Sequence, residues 1–424
     1  MKVLLISHNP FSTYQSMGKT FMSLFSSFEK EELCQLYVYP SFSDVDMANS
    51  YYRLTDRDAI KRICPLLRAG GEVTHHAYTG SMVENSTDKK IYSKESNNQP
   101  LMRILRDLVW KMSFWYTRDL RDWLDREKPT CIFLAPGYAK FIYDIAMKIS
   151  RERGLPIVIY ICDDYYFLEE PKSPVGALQL KLLQRKTRQT MDASRLLVAI
   201  SKPIADVYGK AFSIDSEIIM TGAGFEVAKE VPERLCVENL SYFGNIGLNR
   251  DKSLVDIGRA LDEINAENGT SYGLKIHTDK KNPLVDATFA GIRSICVSDF
   301  LVGDAYKQAF YSADCLVHVE GFDAESMDLV KSSISTKIAD SLASGIPLLA
   351  YGPAGIASMD HVEDNECAFV AHDYEGLKAT LNVFFRNPEE RKRIAENARN
   401  TAKQHHVSAT NSLRLKETIQ KVEN

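Results

Sequence analysis

The sequence predicts an α/β protein with two doubly wound, Rossmann-like domains that face a cleft. Short apolar segments alternate with amphipathic helical segments, and this alternation runs along the chain twice. Uninterrupted apolar segments such as Ile157–Cys162 are typical of strands buried on both faces of a parallel sheet. A charged stretch near Glu226–Arg234 separates the two arrays and predicts a linker. Two such arrays indicate two open sheets covered by helices.

Domain boundaries follow from these arrays. We expect an N-terminal domain over residues 1–230, a C-terminal domain over residues 231–400 and a charged C-terminal helix over residues 401–424.

The first array begins with a short strand at Val3–Ile6. A helix follows, in which Phe21, Leu24 and Phe28 lie at helical spacing. The segment Ser81–Gln99 is polar and predicts an exposed loop. The other predicted strands of this array are Gln35–Tyr39, Val73–Tyr78, Cys131–Leu134, Ile157–Cys162, Leu196–Ile200 and Glu217–Met220.

The second array restarts with a strand at Leu240–Phe243. Leu254, Ile257, Leu261 and Ile264 then form the apolar stripe of a helix. The other predicted strands are Leu274–His277, Phe300–Val302, Cys315–Val319 and Leu348–Tyr351.

Composition is that of an ordinary globular chain. The 424 residues carry a formal net charge of −4, which gives no sign of nucleic-acid binding. The eight cysteines form no C-x-x-C pair, and no metal-ligand spacing joins cysteine and histidine. Neither a signal peptide nor an apolar run of roughly 20 residues is present. These features predict a cytoplasmic protein with reduced thiols.

The most informative segment is Ser335-Thr336-Lys337, at the start of a helix predicted over Ser333–Ser344. The free N–H groups and positive dipole of a helix start favour a phosphate. The two hydroxyls and the lysine add to this, and Asp340, one turn further on, can accept ribose hydroxyls. An ordinary N-cap is the alternative interpretation, since serine and threonine are preferred there.

A second phosphate contact is expected after the first strand of the second array. Gly244-Asn245 form a tight turn there, and Arg250 and Lys252 follow at a helix start. Such a turn leading into a basic helix start suits a pyrophosphate. A surface charge beside a turn is the alternative for Arg250.

These motifs resemble the nucleotide-sugar site of GT-B glycosyltransferases, in particular the large retaining family of bacterial cell-surface polysaccharide enzymes (family 4-like). Asp340 takes the position of the second glutamate in that family's paired-glutamate signature. The first is matched by Glu320 in Glu320-Gly321-Phe322, after which an insertion of about a dozen residues separates the two halves. Lys252 matches the basic residue on the donor phosphates, whereas Asn245 replaces the expected arginine. Gly18 matches the glycine where the first loop enters the first helix.

The resemblance implies transfer of a sugar from a nucleotide-sugar co-substrate to a saccharide or lipid-linked saccharide acceptor in surface polysaccharide synthesis. It also implies retention of configuration and no cofactor or metal, and it places the C-terminal helix back on the first domain. A sugar-nucleotide 2-epimerase of the same architecture and a catalytically silent partner subunit remain as alternatives.

Candidate catalytic groups are Glu320 and three polar residues at the ends of first-array strands. His8 follows the first strand, and Asp163-Asp164 follow the apolar strand ending at Cys162. Strand carboxyl ends face the ligand in open α/β sheets. The adjacent carboxylates can contact acceptor hydroxyls or act as a base, and at most one is expected to face the reacting atoms. The alternative for the aspartates is helix N-capping or a solvated loop, and the alternative for His8 is a polar loop position.

Two further segments have competing interpretations. Cations and aromatic residues alternate over Leu101–Arg126, which predicts either a helix lying on the inner membrane face or a packed helix that shows its charges to water. Asp44-Val45-Asp46 has the spacing of a metal motif from another glycosyltransferase fold, but we interpret it as a solvated turn.

Overall fold

The computed structural model describes residues 1–76, 100–168, 171, 173–232, 237–279 and 284–423, and it divides the chain into two units. Unit 1 comprises Met1–Ile219 and Ala409–Asn424, and unit 2 comprises Met220–Ser408. Residues 220–230, which we expected in the N-terminal domain, therefore lie in unit 2. They are held there because Asp340 accepts a hydrogen bond from the Gly224 N–H at 2.7 Å.

Unit 1 is built on an eight-stranded sheet in the order β4-β3-β2-β1-β5-β6-β7-β8. Its strands pair in parallel except for β3 and β4. The central strand β1 lies between β2 and β5, so that Val3 is opposite both Leu33 and Cys131. The chain order reverses between β1 and β5. The strands are β1 Val3–Ser7, β2 Leu33–Tyr37, β3 Ser50–Arg53, β4 Gly71–Val73, β5 Cys131–Ala135, β6 Ile157–Ile161, β7 Leu196–Ala199 and β8 Ser216–Ile218.

Helices connect these strands, and a short 3₁₀ helix at Lys30–Glu32 precedes β2. The α-helices are α1 Ser16–Leu24, α2 Asp56–Lys61, α3 Pro100–Met112, α4 Arg118–Glu127, α5 Lys140–Arg153, α6 Pro174–Met191 and α7 Lys202–Phe212.

Unit 2 is built on a six-stranded parallel sheet in the order β11-β10-β9-β12-β13-β14. Here the chain order reverses between β9 and β12, which pair in parallel with Leu240 opposite Cys315. The strands are β9 Asn239–Phe243, β10 Gly273–Thr278, β11 Ile295–Asp299, β12 Cys315–Val319, β13 Leu348–Tyr351 and β14 Phe369–Ala371. The helices are α8 Arg250–Asn268, α9 Leu284–Phe289, α10 Gly303–Ser312, α11 Ala324–Val330, α12 Thr336–Ala343, α13 Ala357–Asp364, α14 Tyr374–Arg386 and α15 Pro388–His405.

The last helix, α16 at Ser408–Glu423, packs into unit 1. Leu415 and Ile419 are fully buried in the core of that unit. Ser412 accepts a hydrogen bond from the Ser27 N–H at 2.9 Å, and Lys416 pairs with Glu32 at 2.6 Å. The core of unit 1 is therefore completed by the far end of the chain.

Two predicted elements differ from the structure. The strand expected at 300–302 is absent, and the edge strand β11 lies just before it, at Ile295–Asp299. Edge strands are buried less than central ones, so the alternation of apolar residues in β11 is weak. The strand expected at 73–78 and the loop expected at 81–99 fall partly or wholly outside the described residues. Among the described helices, none is long and apolar enough to cross a bilayer.

The basic and aromatic stretch buries Trp110 and turns Arg106 towards the protein, whereas Lys111 and Phe114 are exposed. Trp110 is 1% exposed and stacks on Phe141 at 4.1 Å between ring centroids. Arg106 pairs with the buried Asp56 at 2.8 Å, and Asp56 also accepts a hydrogen bond from the Trp110 indole N–H at 2.7 Å. The hypothesis that these aromatic residues lie in a membrane interface is wrong for Trp110.

Candidate functional site

The centre of the site in unit 2 is the turn at Gly244, directly after β9. Gly244 has φ of 147°, a conformation that residues with a side chain rarely adopt. A Cβ atom at this position would lie 1.7 Å from Nζ of Lys337. The lysine side chain therefore crosses the turn in space that only glycine leaves open. Its ammonium also lies 5.3 Å from the ring centroid of Tyr242, a cation–π distance.

Helix α12 supplies this lysine and begins without an ordinary cap. Ser335 occupies the N-cap position, but its side chain makes no capping hydrogen bond. Its backbone N–H instead donates to the Ser358 hydroxyl at 3.0 Å. Ser335 therefore occupies the N-cap position without the side-chain bond of an ordinary cap, and Thr336 and Lys337 open a helix of 8 residues with a positive dipole end.

Asp340 lies one turn further along α12 and has a structural partner. One of its carboxylate oxygens accepts from the Gly224 N–H, which ties the first residues of unit 2 to α12. Burial raises the pKa of Tyr306 and Tyr311, and the negative charge of Asp340 raises both further. The predicted contact of Asp340 with ribose must share this carboxylate with Gly224.

Arg250 and Glu320 form a buried ion pair across 70 residues of sequence. Glu320 is 2% exposed and accepts from Nε and Nη2 of Arg250 at 3.0 and 2.7 Å. His318 lies 3.3 Å from its other oxygen. Burial alone would raise the pKa of Glu320, but His318 and Arg250 outweigh burial and hold that pKa below its usual value. The guanidinium of Arg250 is bound to this carboxylate through Nε and Nη2, and its expected contact with phosphate stays a prediction.

The Glu320-Gly321-Phe322 segment is locked to the loop that precedes α8. A Cβ atom on Gly321 would lie 2.2 Å from the carbonyl oxygen of Leu248. Asn249 donates a hydrogen bond to Asp323 at 2.6 Å. Glu320 is thereby held as a buried support of the loop, and the catalytic role expected for it stays a prediction. Sequence reasoning missed Asn249 and Asp323, because only the fold brings them together.

Two other predicted donor residues keep exposed positions. Lys252 is exposed in the first turn of α8. The side chain of Asn245 accepts from the Gly247 N–H at 2.7 Å and so shapes the turn. Gly244 and Glu320 thus follow the adjacent strands β9 and β12, where the chain order reverses. This is the ligand-binding position in open α/β sheets.

Unit 1 has a cavity of about 530 Å³ at the carboxyl ends of β1, β5 and β6. This is again the place where the order of strands reverses, between β1 and β5. The residues that line it include His8, Tyr138, Asp163 and Tyr165. Cavities of this volume suit a small organic ligand.

His8 enters this cavity as a neutral imidazole. Burial and, to a smaller extent, the neighbouring Arg106 guanidinium lower its pKa to about 4. The His8 carbonyl accepts from the Tyr39 N–H at 2.9 Å, which fixes the backbone at the end of β1. At neutral pH the ring can therefore both donate and accept a hydrogen bond.

The two aspartates after β6 have different surroundings. Asp163 lines the cavity and accepts from the Tyr165 hydroxyl at 2.8 Å. Asp164 instead accepts from the backbone N–H groups of Tyr166 and Phe167, both at 2.9 Å, and from the Tyr208 hydroxyl at 2.7 Å. Asp164 therefore caps the turn after β6, and the catalytic role expected for it stays a prediction.

Helix α3 adds two cations to the cavity that sequence reasoning did not place there. Arg103 and Arg106 both line it, and the Arg103 guanidinium lies 4.9 Å from the ring centroid of Tyr138. Asp107 lines it as well and pairs with Lys140. The sequence showed the basic stretch, but only the packing of α3 against α5 shows that its two arginines face the cavity.

Gly18 acts through close packing at the start of α1. A Cβ atom there would lie 2.6 Å from the backbone nitrogen of Ser12 and 2.9 Å from the carbonyl oxygen of Pro10. The glycine lets the loop after β1 touch the helix start, and Ser16 and Met17 of that helix start line the cavity.

The D-x-D motif has a structural use. Asp44 accepts hydrogen bonds from the Thr13 backbone at 3.0 and 3.1 Å, and Asp46 pairs with Lys30 at 2.6 Å. Within the described part of the chain, no three His, Cys, Asp or Glu side chains form a group that could hold a metal ion.

A family model described as "Glycosyl transferase-like" matches residues 266–417, about a third of the chain. None of the curated proteins matches.

Three solved structures match over nearly the whole length of both chains. The chain is 12% identical to HepE of Anabaena, solved with UDP, and the match covers 99% of this chain and 100% of that one with a TM-score of 0.62. The fold is GT-B. A UDP-forming α,α-trehalose-phosphate synthase of Burkholderia xenovorans, solved with glucose-6-phosphate, is 9% identical with full coverage of both chains and a TM-score of 0.61. Sucrose-phosphate synthase of Thermosynechococcus elongatus is 10% identical, with 100% and 99% coverage and a TM-score of 0.60.

Proposed function

We propose that this GT-B protein is a glycosyltransferase that moves a sugar from a nucleotide-sugar donor to a saccharide or lipid-linked saccharide acceptor. The observation that carries the proposal is the Lys337 side chain, which lies over the Gly244 turn where the strand order of unit 2 reverses. A cation, a glycine turn and a helix start meet there, and these are the groups that hold a diphosphate. The family model over residues 266–417 supports the same chemistry.

In the proposed mechanism, unit 2 binds the donor. Lys337 and the N–H group of Thr336 bind the diphosphate, and Lys252 approaches it from α8. Negative charge on the leaving diphosphate grows as the glycosidic bond breaks, and fixed positive groups lower the barrier most when that charge is greatest. Because these groups supply positive charge from the protein, we expect turnover without a divalent metal and in the presence of a chelator.

Unit 1 binds the acceptor in this proposal. The cavity presents the neutral His8 imidazole and the Asp163 carboxylate, which bind and orient acceptor hydroxyls. Arg103 presents a cation to it, which suits an acceptor that bears phosphate. The HepE and trehalose-phosphate synthase structures were solved with UDP and with glucose-6-phosphate, respectively, which agrees with such a pair of ligands. A role in surface polysaccharide synthesis with retention of configuration is the most specific form of the proposal.

Calorimetry with nucleoside diphosphates tests the donor site. Lys337→Ala should weaken binding of the preferred nucleotide by about 1.5–3 kcal/mol, the range for hydrogen bonds to charged groups. Lys331→Ala is the matched control, since Lys331 is an exposed lysine at the end of the neighbouring α11. If folded Lys337→Ala binds the nucleotide as tightly as the wild type does, the assignment of Lys337 to the diphosphate site is wrong.

Incubation with the donor alone distinguishes the alternatives. A transferase leaves the nucleotide sugar intact or hydrolyses it slowly, whereas a 2-epimerase changes its stereochemistry. A chain that binds none of the common nucleoside diphosphates in a thermal-shift screen would be a silent partner subunit, and the proposal would be wrong.

A further inference from the structure

Helix α3 is amphipathic in the opposite sense to an ordinary surface helix. Surface helices bury their apolar side and show polar residues to water. In α3 the exposed side carries Leu101, Leu105, Leu108 and Met112, which are 56%, 46%, 48% and 62% exposed. The opposite side carries the arginines and Asp107, which line the cavity of unit 1. An apolar stripe of this length on the outside of a helix requires a partner.

The stripe continues onto neighbouring segments. The end of α3 is joined to the segment after α2, because the Phe114 N–H donates to the Arg62 carbonyl at 2.9 Å and the Arg62 side chain donates back at 3.2 Å. Helix α6 packs on the other side of α3. We name the set of exposed apolar side chains on these segments the apolar face: Ile60, Ile63, Leu66, Leu67, Leu101, Met102, Leu105, Leu108, Met112, Phe114, Val175, Leu178 and Leu182.

Exposed large apolar side chains are concentrated here. In the described part of unit 1, those outside the apolar face are Phe167, Val207 and Leu413. Leu66 is 89% exposed, more than any of the others. Exposed apolar side chains that are concentrated on packed, neighbouring segments mark interaction surfaces, whereas single exposed residues such as Val207 are ordinary.

The charges around the apolar face have one sign, although the whole chain has a net charge of −4. Over residues 57–68, 100–116 and 174–191 the two acids, Asp58 and Asp107, are held by Thr55 and Lys140. The exposed charged residues of these segments are all cations: Arg57, Lys61, Arg68, Lys111, Lys181, Arg185 and Arg188.

We propose that the apolar face docks on an anionic lipid bilayer. Aliphatic side chains at the surface enter the boundary between headgroups and acyl chains, and cations around them attract anionic headgroups. A symmetric dimer through the same patch would place these cations opposite one another, which is unfavourable. Residues 77–99, which lead into α3, are mainly polar and carry three lysines and three acids, so their composition suits neither the apolar stripe nor its cations.

Docking in this way has a consequence for the cavity. Helix α3 presents its apolar side to the lipid and its arginine side to the cavity, so that the bilayer surface and the acceptor site are separated by the width of one helix, about 10 Å. This consequence rests on the proposed function and favours a lipid-linked acceptor that bears phosphate. Docking itself does not depend on transferase activity.

Vesicle flotation tests the proposal. The full chain should float with vesicles of phosphatidylglycerol and phosphatidylcholine at low ionic strength, and far less with phosphatidylcholine alone. Binding should fall with added salt, because exposed charges are screened beyond about 8 Å at physiological ionic strength. No flotation with the anionic vesicles at low salt would overturn the proposal.

Two variants, each with a matched control, locate the surface. Leu105→Glu/Leu108→Glu should abolish flotation, whereas Val207→Glu/Leu413→Glu, at positions 44% and 51% exposed, should not. Lys111→Gln/Lys181→Gln/Arg185→Gln should weaken binding about tenfold or more, and Arg151→Gln/Lys202→Gln/Lys210→Gln should change it little. Nucleotide affinity of unit 2 should be the same in all four variants, which separates this proposal from the donor assignment. Equal losses in both members of a pair, or a dimer that Leu105→Glu/Leu108→Glu dissociates, would overturn it.

Discussion

Arg250 and Glu320 show how a single pair of residues holds the loop over the proposed donor site. Glu320 is buried, so removal of the guanidinium leaves a buried carboxylate with only His318 beside it. Arg250→Met should therefore lower the free energy of unfolding by about 3–5 kcal/mol, and Arg250→Met/Glu320→Leu should recover much of this loss. The pKa of Glu320 is depressed in the folded protein, so the ionised pair contributes stability above the carboxyl's ordinary pKa of 4.5.

The lowered pKa of Glu320 also predicts how the loss of stability in Arg250→Met depends on pH. The difference between wild type and Arg250→Met should be full near neutral pH and should shrink as the pH falls through the lowered pKa of Glu320. Urea unfolding at several pH values measures it. Arg259→Met, on the exposed side of the same helix, serves as the control and should change stability by less than about 0.5 kcal/mol. If the difference in the free energy of unfolding stayed constant across the acid range, the ion pair of Arg250 with Glu320 would not be its cause.

At the scale of elements, a buried histidine pair joins the two segments at which the chain enters and leaves unit 2. Nε2 of His361 lies 3.0 Å from Nε2 of His406, and Nδ1 of His406 lies 2.9 Å from the Thr221 carbonyl. The Ala223 N–H donates to the His406 carbonyl at 2.8 Å. Burial lowers the pKa of His361 to about 4 and that of His406 to about 3.

This pair predicts acid sensitivity of unit 2. Unfolded histidines take up protons near pH 6.5, whereas the buried pair does not, so the free energy of unfolding should fall as the pH is lowered from about 6.5 towards 3. His361→Leu/His406→Leu should flatten this dependence. Thermal unfolding followed from pH 7 to pH 4 measures the slope, and an unchanged slope in the double variant would mean that other groups cause it.

Elements of the central sheet could be predicted from the sequence because their burial leaves a strong pattern. The predicted strands Leu348–Tyr351 and Cys315–Val319 coincide with β13 and β12. The edge strand β11 was predicted at 300–302, just after its actual position, and β3 at Ser50–Arg53 was not predicted. Short or partly exposed strands lack the pattern that burial leaves. For α3, the sequence showed that cations and rings alternate, but not that Arg103 and Arg106 face the protein.

The residues of the candidate site also differ in how far they could be predicted from the sequence. Lys337 and Gly244 were predicted from local motifs, since a glycine turn and a basic helix start are visible within a few residues. The bond between Arg250 and Glu320 spans 70 residues and depends on β9 and β12 being neighbours. The same holds for Asp340 and Gly224. No local pattern encodes such partners, so residue roles were predicted less well than residue positions.

At the scale of the whole molecule, unit 2 is a continuous segment inserted in unit 1. Its described apolar clusters draw on residues between Ala223 and Ala402 and on none from unit 1. We therefore expect residues 220–408 expressed alone to fold cooperatively and to bind nucleoside diphosphate within about fivefold of the full chain, or about 1 kcal/mol. Calorimetry on both proteins measures this. Residues 1–219 alone should be less stable than the same residues joined through a short linker to 409–424, which restores Leu415 and Ile419.

The position of α16 also sets the order in which the protein can mature on the ribosome. Residues 409–424 are synthesised after all of unit 2, yet they supply Leu415 and Ile419 to the interior of unit 1. At about 5–20 residues per second, the intervening segment takes roughly 10–40 s to emerge. During that interval the nascent first half exposes the apolar surface that α16 later covers and is a natural client for chaperones. Unit 2 is synthesised after residues 1–219, but it can complete its fold before unit 1 does.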